Sequence, residues 1–166
     1  MRNSLVKHVE QSSLKKDMPQ FEVGDSVDVH TRIIEGELPG KFVWRDERCV
    51  AFLSIAPLRP GHALVVPVAE VDKWTDLDPD LAAHLMVVAQ RIARAQEAAF
   101  GPARVGLIIA GLEVPHCHLH AVPIDRESDL HFANADNNVT DDELERAARA
   151  LRAALADSGY ADESRV

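Results

Sequence analysis

Residues 113–123 read Glu-Val-Pro-His-Cys-His-Leu-His-Ala-Val-Pro, so His116, His118 and His120 occupy every second position, with Cys117, Leu119 and Ala121 between them. A period of two is that of a β-strand, whose successive side chains emerge on opposite faces. No other stretch constrains the fold as strongly. It requires a strand with one apolar face turned to a core and three imidazoles on the other. Same-face neighbours on a strand lie about 6.6–6.8 Å apart, close enough for three rings to act on one small ligand.

The surrounding chain supplies partners for such a strand. Residues 104–112, apolar almost throughout, predict a central strand joined to the histidine strand by a tight turn. Strand-like runs at 42–45, 49–55 and 63–67 are broken at Asp46-Glu47-Arg48 and at Pro57–Gly61. Residues 21–30 also alternate enough for a strand. A helix is predicted over 79–100: Asp78 caps it, Pro79 takes the first position and Gly101-Pro102 stops it. Its apolar stripe is Leu81, Leu85, Val88, Ile92, Ala95 and Ala99. His84 lies beside that stripe and reads as a boundary residue; Trp44 and Trp74 read as packing groups. Thr140 and Glu143 form a capping box for a second helix, with Leu144, Ala147, Leu151 and Leu155 on one face. The fold class is α+β: a mostly antiparallel sheet with one long central helix and a C-terminal helix. Residues 1–30 read as a mobile N-terminal extension, 31–158 as the domain and 159–166 as a tail.

The formal net charge of −9 argues against nucleic acid or an anionic membrane as a partner. Two cysteines, Cys49 and Cys117, make no CxxC pair and read as buried free thiols. No apolar run approaches the ~20 residues that cross a bilayer, and no signal-peptide pattern is present, so a reduced, cytoplasmic protein is expected.

From the residues alone, three readings of the histidines stand open. They fill a polar sheet face; they hold a metal, joined by Glu113 or Asp125; or they do phosphate chemistry without one. Imidazole suits the last, because a pKa of ~6.5 leaves it largely unprotonated at neutral pH.

His-Cys-His-Leu-His-Ala-Val at 116–122 resembles the histidine-triad pattern, His-x-His-x-His followed by apolar residues. The resemblance runs from about 31 to 130, through "IIEGELPGKFVWRDERCVAFLSIAPLRPGHALVVP" and "RVGLIIAGLEVPHCHLHAVP". It is closest to an actinobacterial-type branch, marked by "ELPG", "LIIAGLEVPH" and "FANAD". The resemblance implies a homodimeric nucleotide hydrolase or nucleotidyl transferase acting at an α-phosphate, with a purine nucleotide as substrate and no metal or other cofactor. His118 would be the nucleophile, His116 would orient it, His120 would contact phosphate oxygens and His62 would buttress the row. Phe52, Leu53 and Ile55 would sandwich the base. Ser54 stands where the family commonly has Asp or Asn on the ribose hydroxyls. Glu113 replaces a hydrogen-bond donor before the motif, and is expected to favour an amine over a polyphosphate leaving group. The paired cysteines that bind zinc in some members are absent; Val29 and Arg32 stand near that place. The alternatives are a metal-dependent hydrolase built on the three histidines and a non-catalytic nucleotide-binding regulatory module. Residues 3–36 resemble the start of bacterial ribosomal large-subunit protein nineteen and are expected to add no separate function.

Overall fold

The computed structural model describes residues 40–112 and 114–166. The expected extension, the strand expected at 21–30, Val29, Arg32 and Glu113 lie outside the described residues. Five strands form one antiparallel sheet: β1 (Phe42–Arg45), β2 (Cys49–Leu53), β3 (Ala63–Pro67), β4 (Arg104–Ile109) and β5 (Leu119–Ile124), in the order β1-β2-β3-β5-β4. Helix α1 (Pro79–Phe100) and the α2 helix (Asp141–Asp157) pack on one face. This is the α+β arrangement expected, with three differences in the strands.

The first is at β2, which stops at Leu53 rather than at 55. Ser54 still donates its N–H to His62 O at 3.0 Å. Its Oγ then accepts from Ala56 N at 3.3 Å, and this local bond turns the chain out of the sheet. The second is at β4, which is an edge strand, not a central one. Its apolar sequence is half covered by α1 and half exposed, with Leu107 at 41%. The third is at β5, which begins only at Leu119. Pro115 has no N–H to give a ladder, and Cys117 N bonds instead to Val71 O at 2.7 Å, in the loop after β3.

Helix α1 begins where Asp78 Oδ1 accepts from Asp80 N at 2.9 Å and ends where Gly101 adopts φ 61°. It turns Leu85, Val88, Ala89, Ile92 and Ala95 into a core shared with Leu53, Ala63, Val65, Leu119 and Ala121. Each large apolar side chain so buried contributes about 1.5–3 kcal/mol. Helix α2 adds Ala148, Leu151 and Leu155, and its capping box forms, with Thr140 N donating to Glu143 Oε2 at 2.8 Å. The opposite face of the sheet carries a smaller cluster: Val50, Phe52, Leu64 and Val66, with Phe42 against it. His120 pairs directly with Leu64 across β3 and β5, which puts it on this second face. Among the described residues, no helix is long and apolar enough to cross a membrane.

Candidate active site

Three of the four expected histidines meet on that second face. The His118 and His120 rings lie 4.8 Å apart centre to centre, and those of His62 and His120 5.2 Å. Their neighbours Cys117, Leu119 and Ala121 enter the main core, as alternation requires. The row is sunk rather than displayed: His116 is 0% exposed, His62 2% and His118 8%.

Carbonyl oxygens and backbone N–H groups have fixed roles, so they decide where each neutral ring carries its proton. His118 Nδ1 lies 2.8 Å from His116 O; a carbonyl only accepts, so Nδ1 holds the proton and the lone pair falls on Nε2. His116 donates from Nε2 to Pro67 O at 2.9 Å and is thereby pinned to the end of β3. Leu58 N donates to His62 Nδ1 at 3.1 Å, so His62 carries its proton on Nε2. That proton faces His120 Nδ1 at 2.9 Å, which leaves the proton of neutral His120 on its own Nε2. These bonds thus set a donor on His120 beside a lone pair on His118. Burial, with the His118 charge beside it, pushes the His62 pKa down to about 4. Burial also lowers that of His118, against the bond to His116 O and with a smaller contribution from the His116 charge. Both rings are therefore neutral at pH 7.

Backbone geometry fixes the row. Gly61, just before His62, has φ 84°, and a Cβ there would collide with the Phe100 ring. Gln96, wholly buried on α1, donates from Nε2 to Gly61 O at 2.7 Å and to Ala121 O at 2.8 Å. These two carbonyls adjoin His62 and His120. Both Gln96 donors are used and its Oε1 is buried without a partner. Sequence reasoning missed this residue, although it stands four positions after Ile92 on the same stripe. It also missed Phe132, whose ring lies 5.2 Å from that of His120. The segment carrying Phe132 folds over β4 at Gly106, where an added Cβ would lie 2.7 Å from Leu130 Cδ2.

The residues expected to sandwich the base do not share one face. Phe52 and Leu53 are consecutive in a strand and face opposite sides: Phe52 joins the cluster below His120, while Leu53 enters the main core. Ile55 lies beyond the strand end and is 77% exposed. Ser54 remains beside His62 through its bond to His62 O. Asp125, a possible metal ligand by sequence, is taken by Arg59 Nη2 at 2.7 Å and by Ala103 N at 3.1 Å. Among the described residues, donors close enough to share an ion are those of Asp46, Cys49 and His84, not those of the histidine row.

A cleft of about 520 Å³ opens beside His118, between Asp72–Thr75 on one wall and Ile109–Leu112, Pro115 and Cys117 on the other. Trp74 in its wall is 54% exposed, so it is not the packing group its sequence suggests.

Comparison with known proteins bears on the family and the fold. The family model described as HIT domain matches residues 35–127. A second model, Ribosomal protein L19, matches residues 4–42, most of which lie outside the described residues. An uncharacterized HIT-like protein of Mycobacterium tuberculosis is 34% identical over 133 residues, covering 77% of this chain and 92% of its own. The crystal structure of a zinc-bound histidine triad family protein from Mycobacterium smegmatis superposes with a TM-score of 0.70 at 31% identity, over 81% of this chain and 96% of that one. A hypothetical histidine triad nucleotide-binding protein from Sulfolobus tokodaii shares the fold, with a TM-score of 0.69 at 23% identity, over 82% and 98%.

Proposed function

This chain belongs to the histidine triad family, and on that premise we propose that it transfers or hydrolyses the α-phosphoryl group of a nucleotide through a covalent nucleotidyl-histidine. The observation that carries the reading is the bond from His118 Nδ1–H to His116 O, which directs a lone pair to Nε2. His118 Nε2 attacks the α-phosphorus; the P–N bond forms as the bond to the leaving group breaks, and the departing group takes its electron pair and a proton from solvent, to which the attacking water later returns one. The nucleotidyl ring gains positive charge, which strengthens its Nδ1–H bond to His116 O. Water then attacks phosphorus, the P–N bond breaks, and the nucleoside monophosphate leaves. His120 Nε2–H donates to a non-bridging oxygen, held in that tautomer by His62. Phosphoryl transfer has a loose transition state, so positioning and charge stabilisation suffice. No metal takes part in this scheme.

The face around Phe52, Leu64 and His120 is the proposed nucleoside side, a purine by analogy with the family, with the Ser54 hydroxyl offered to the ribose. The cleft beside His118 receives the leaving group. Among the described residues lining it, Lys73 is the one lysine or arginine, which favours a leaving group other than a polyphosphate, in line with the Glu113 expectation. Glu113→Gln, tried on amine and phosphate leaving groups, tests that point; an unchanged preference refutes it. Two buried free thiols fit a reducing, cytoplasmic setting. Relatives in Mycobacterium support an actinobacterial-type branch. A homodimer through β4 is part of the reading: this edge strand and the α1 residues Met86 and Val87 border an apolar groove of about 310 Å³. Light scattering on the purified chain tests it, and a monomer at micromolar concentration refutes it.

The decisive experiment is incubation with adenosine 5′-phosphoramidate, comparing wild type with His118→Asn and trapping the adduct by mass spectrometry. An added AMP group on a peptide containing His118, absent from the variant, is expected. Unchanged turnover in His118→Asn overturns the reading. Tight nucleotide binding without turnover, indifferent to His118→Ala, would support the regulatory module instead.

A further inference from the structure

At the β1–β2 hairpin, away from the histidine row and its cleft, three side chains of different chemistry converge. Asp46 comes from the turn, Cys49 from the start of β2, and His84 from the second turn of α1. Their donor atoms all lie within 4.8 Å of one another, the one such group among the described residues. We propose that Asp46 Oδ2, Cys49 Sγ and His84 Nε2 form a zinc(II) site, with water in the fourth position.

The hairpin alone does not account for this arrangement. Closing the turn occupies only one carboxylate oxygen: Oδ1 accepts from Arg48 N and Cys49 N, each at 2.8 Å. The other oxygen, Oδ2, faces His84 Nε2 at 2.9 Å, Cys49 Sγ at 3.6 Å and Trp44 Nε1 at 2.8 Å. Tetrahedral zinc with ordinary bond lengths sets its ligand atoms about 3.4 Å apart for an O–N pair and about 3.6 Å for pairs including sulfur. The Oδ2–Sγ separation already has that value. A retreat of the His84 ring by about half an ångström supplies the O–N separation, and the third pair, Nε2 and Sγ, lies within 4.8 Å.

The surroundings suit an ion. The His84 and Asp46 side chains retain 24% and 20% exposure, a path from solvent, while Cys49 closes the inner side at 0%. The turn N–H groups on Oδ1 and the indole N–H on Oδ2 orient the carboxylate from outside the ligand shell, as outer partners do at zinc sites. Thiolate, imidazole and carboxylate together favour zinc over calcium or magnesium.

Burial, then the Asp46 charge and hydrogen bond, pushes the Cys49 pKa up, while Arg48 and Arg91 act the other way. A dication reverses that balance. The Cys49 S–H bond breaks, its proton goes to solvent and a Zn–S bond forms. His84 exchanges its Nε2 proton for one on Nδ1. The charges of zinc, carboxylate and thiolate then cancel, so the buried site is neutral beside the two arginines.

The test is titration of the full chain with cobalt(II), a spectroscopic stand-in for zinc. A thiolate-to-cobalt charge-transfer band in the near ultraviolet is expected, saturating at a single equivalent, displaced by zinc and accompanied by release of one proton. Cys49→Ser should abolish the band, His84→Ala should weaken binding at least tenfold, and His118→Asn should change neither. No thiolate band in the wild type, or a band that survives Cys49→Ser, overturns the proposal. Should the serine variant fail to fold, unchanged affinity in His84→Ala overturns it equally.

Discussion

Replacing Gln96 by Leu isolates what the buried amide does for the histidine row. The side-chain volume is nearly kept, but both donors are lost, to Gly61 O at 2.7 Å and Ala121 O at 2.8 Å. Each buried carbonyl that loses a donor costs about 1–3 kcal/mol. The wild type already carries one such cost, because Gln96 Oε1 is buried without a partner, and leucine removes it. Two losses against one relief leave a net destabilisation of about 1–3 kcal/mol. For a chain of this size that lowers Tm by roughly 2–12 °C. Gln96→Glu should be worse at neutral pH, since a carboxylate would face two carbonyl oxygens, and should recover in acid as its hydroxyl forms. The activity consequence is separate: the two carbonyls adjoin His62 and His120, whose rings must stay 2.9 Å apart nitrogen to nitrogen. In Gln96→Leu, kcat should fall roughly 10–100-fold with KM little changed. Urea unfolding and steady-state kinetics on a phosphoramidate measure the two effects. A leucine variant within about 0.5 kcal/mol of wild type with full kcat refutes the reasoning.

Four further outcomes are expected. The folded His62 pKa, down from 6.5 to about 4, makes the unfolded chain bind more protons between those values. Stability should be fully present above pH 6.5 and lost as pH falls to 4, by at most about 3 kcal/mol from this group; urea midpoints should show a shallower slope in His62→Gln. His118→Asn should lower kcat by roughly 10³-fold or more while leaving the circular dichroism spectrum unchanged. Gly106→Ala places a methyl 2.7 Å from Leu130 Cδ2 and should cost about 1–3 kcal/mol, read from the same urea curves. Deleting residues 1–28 should leave phosphoramidate turnover intact, and lost activity would give that segment a role.

What the sequence makes legible here is whatever depends on near neighbours. Asp78, Pro79 and Gly101 bound α1 within one turn at each end, and the Thr140–Glu143 box starts α2, because caps are local bonds. The alternation at 116–121 correctly sends Cys117, Leu119 and Ala121 to the core. What stays hidden needs chain closure. That β5 inserts between β3 and β4, leaving apolar β4 at the edge, is a matter of strand order, which composition does not encode. Gln96 finds Gly61 and Ala121 only once the helix lies across the sheet. Asp46 and His84 are 38 positions apart, and Phe132 reaches His120 only through a return over Gly106. Phe52 and Leu53 are alike in apolar character, so composition does not separate them, yet period two places these consecutive residues on opposite faces.

Sinking the histidines has two consequences with one cause. Desolvation lowers the pKa of His62 and of His118, so at neutral pH the proposed nucleophile keeps its lone pair and the relay through His62 keeps its direction. The same desolvation makes the fold sensitive to acid, since each ring binds a proton more readily once unfolded. An exposed row would hold up better in acid, yet part of His118 would be protonated at pH 7. The backbone resolves the conflict without adding charge: His116 O, Pro67 O and Leu58 N fix three tautomers using neutral dipoles. A carboxylate in place of any of these carbonyls would raise the pKa of its ring and draw it toward the imidazolium, which cannot attack phosphorus. In a chain of net charge −9, neutral orienting groups also keep the described part of the row from repelling a phosphate.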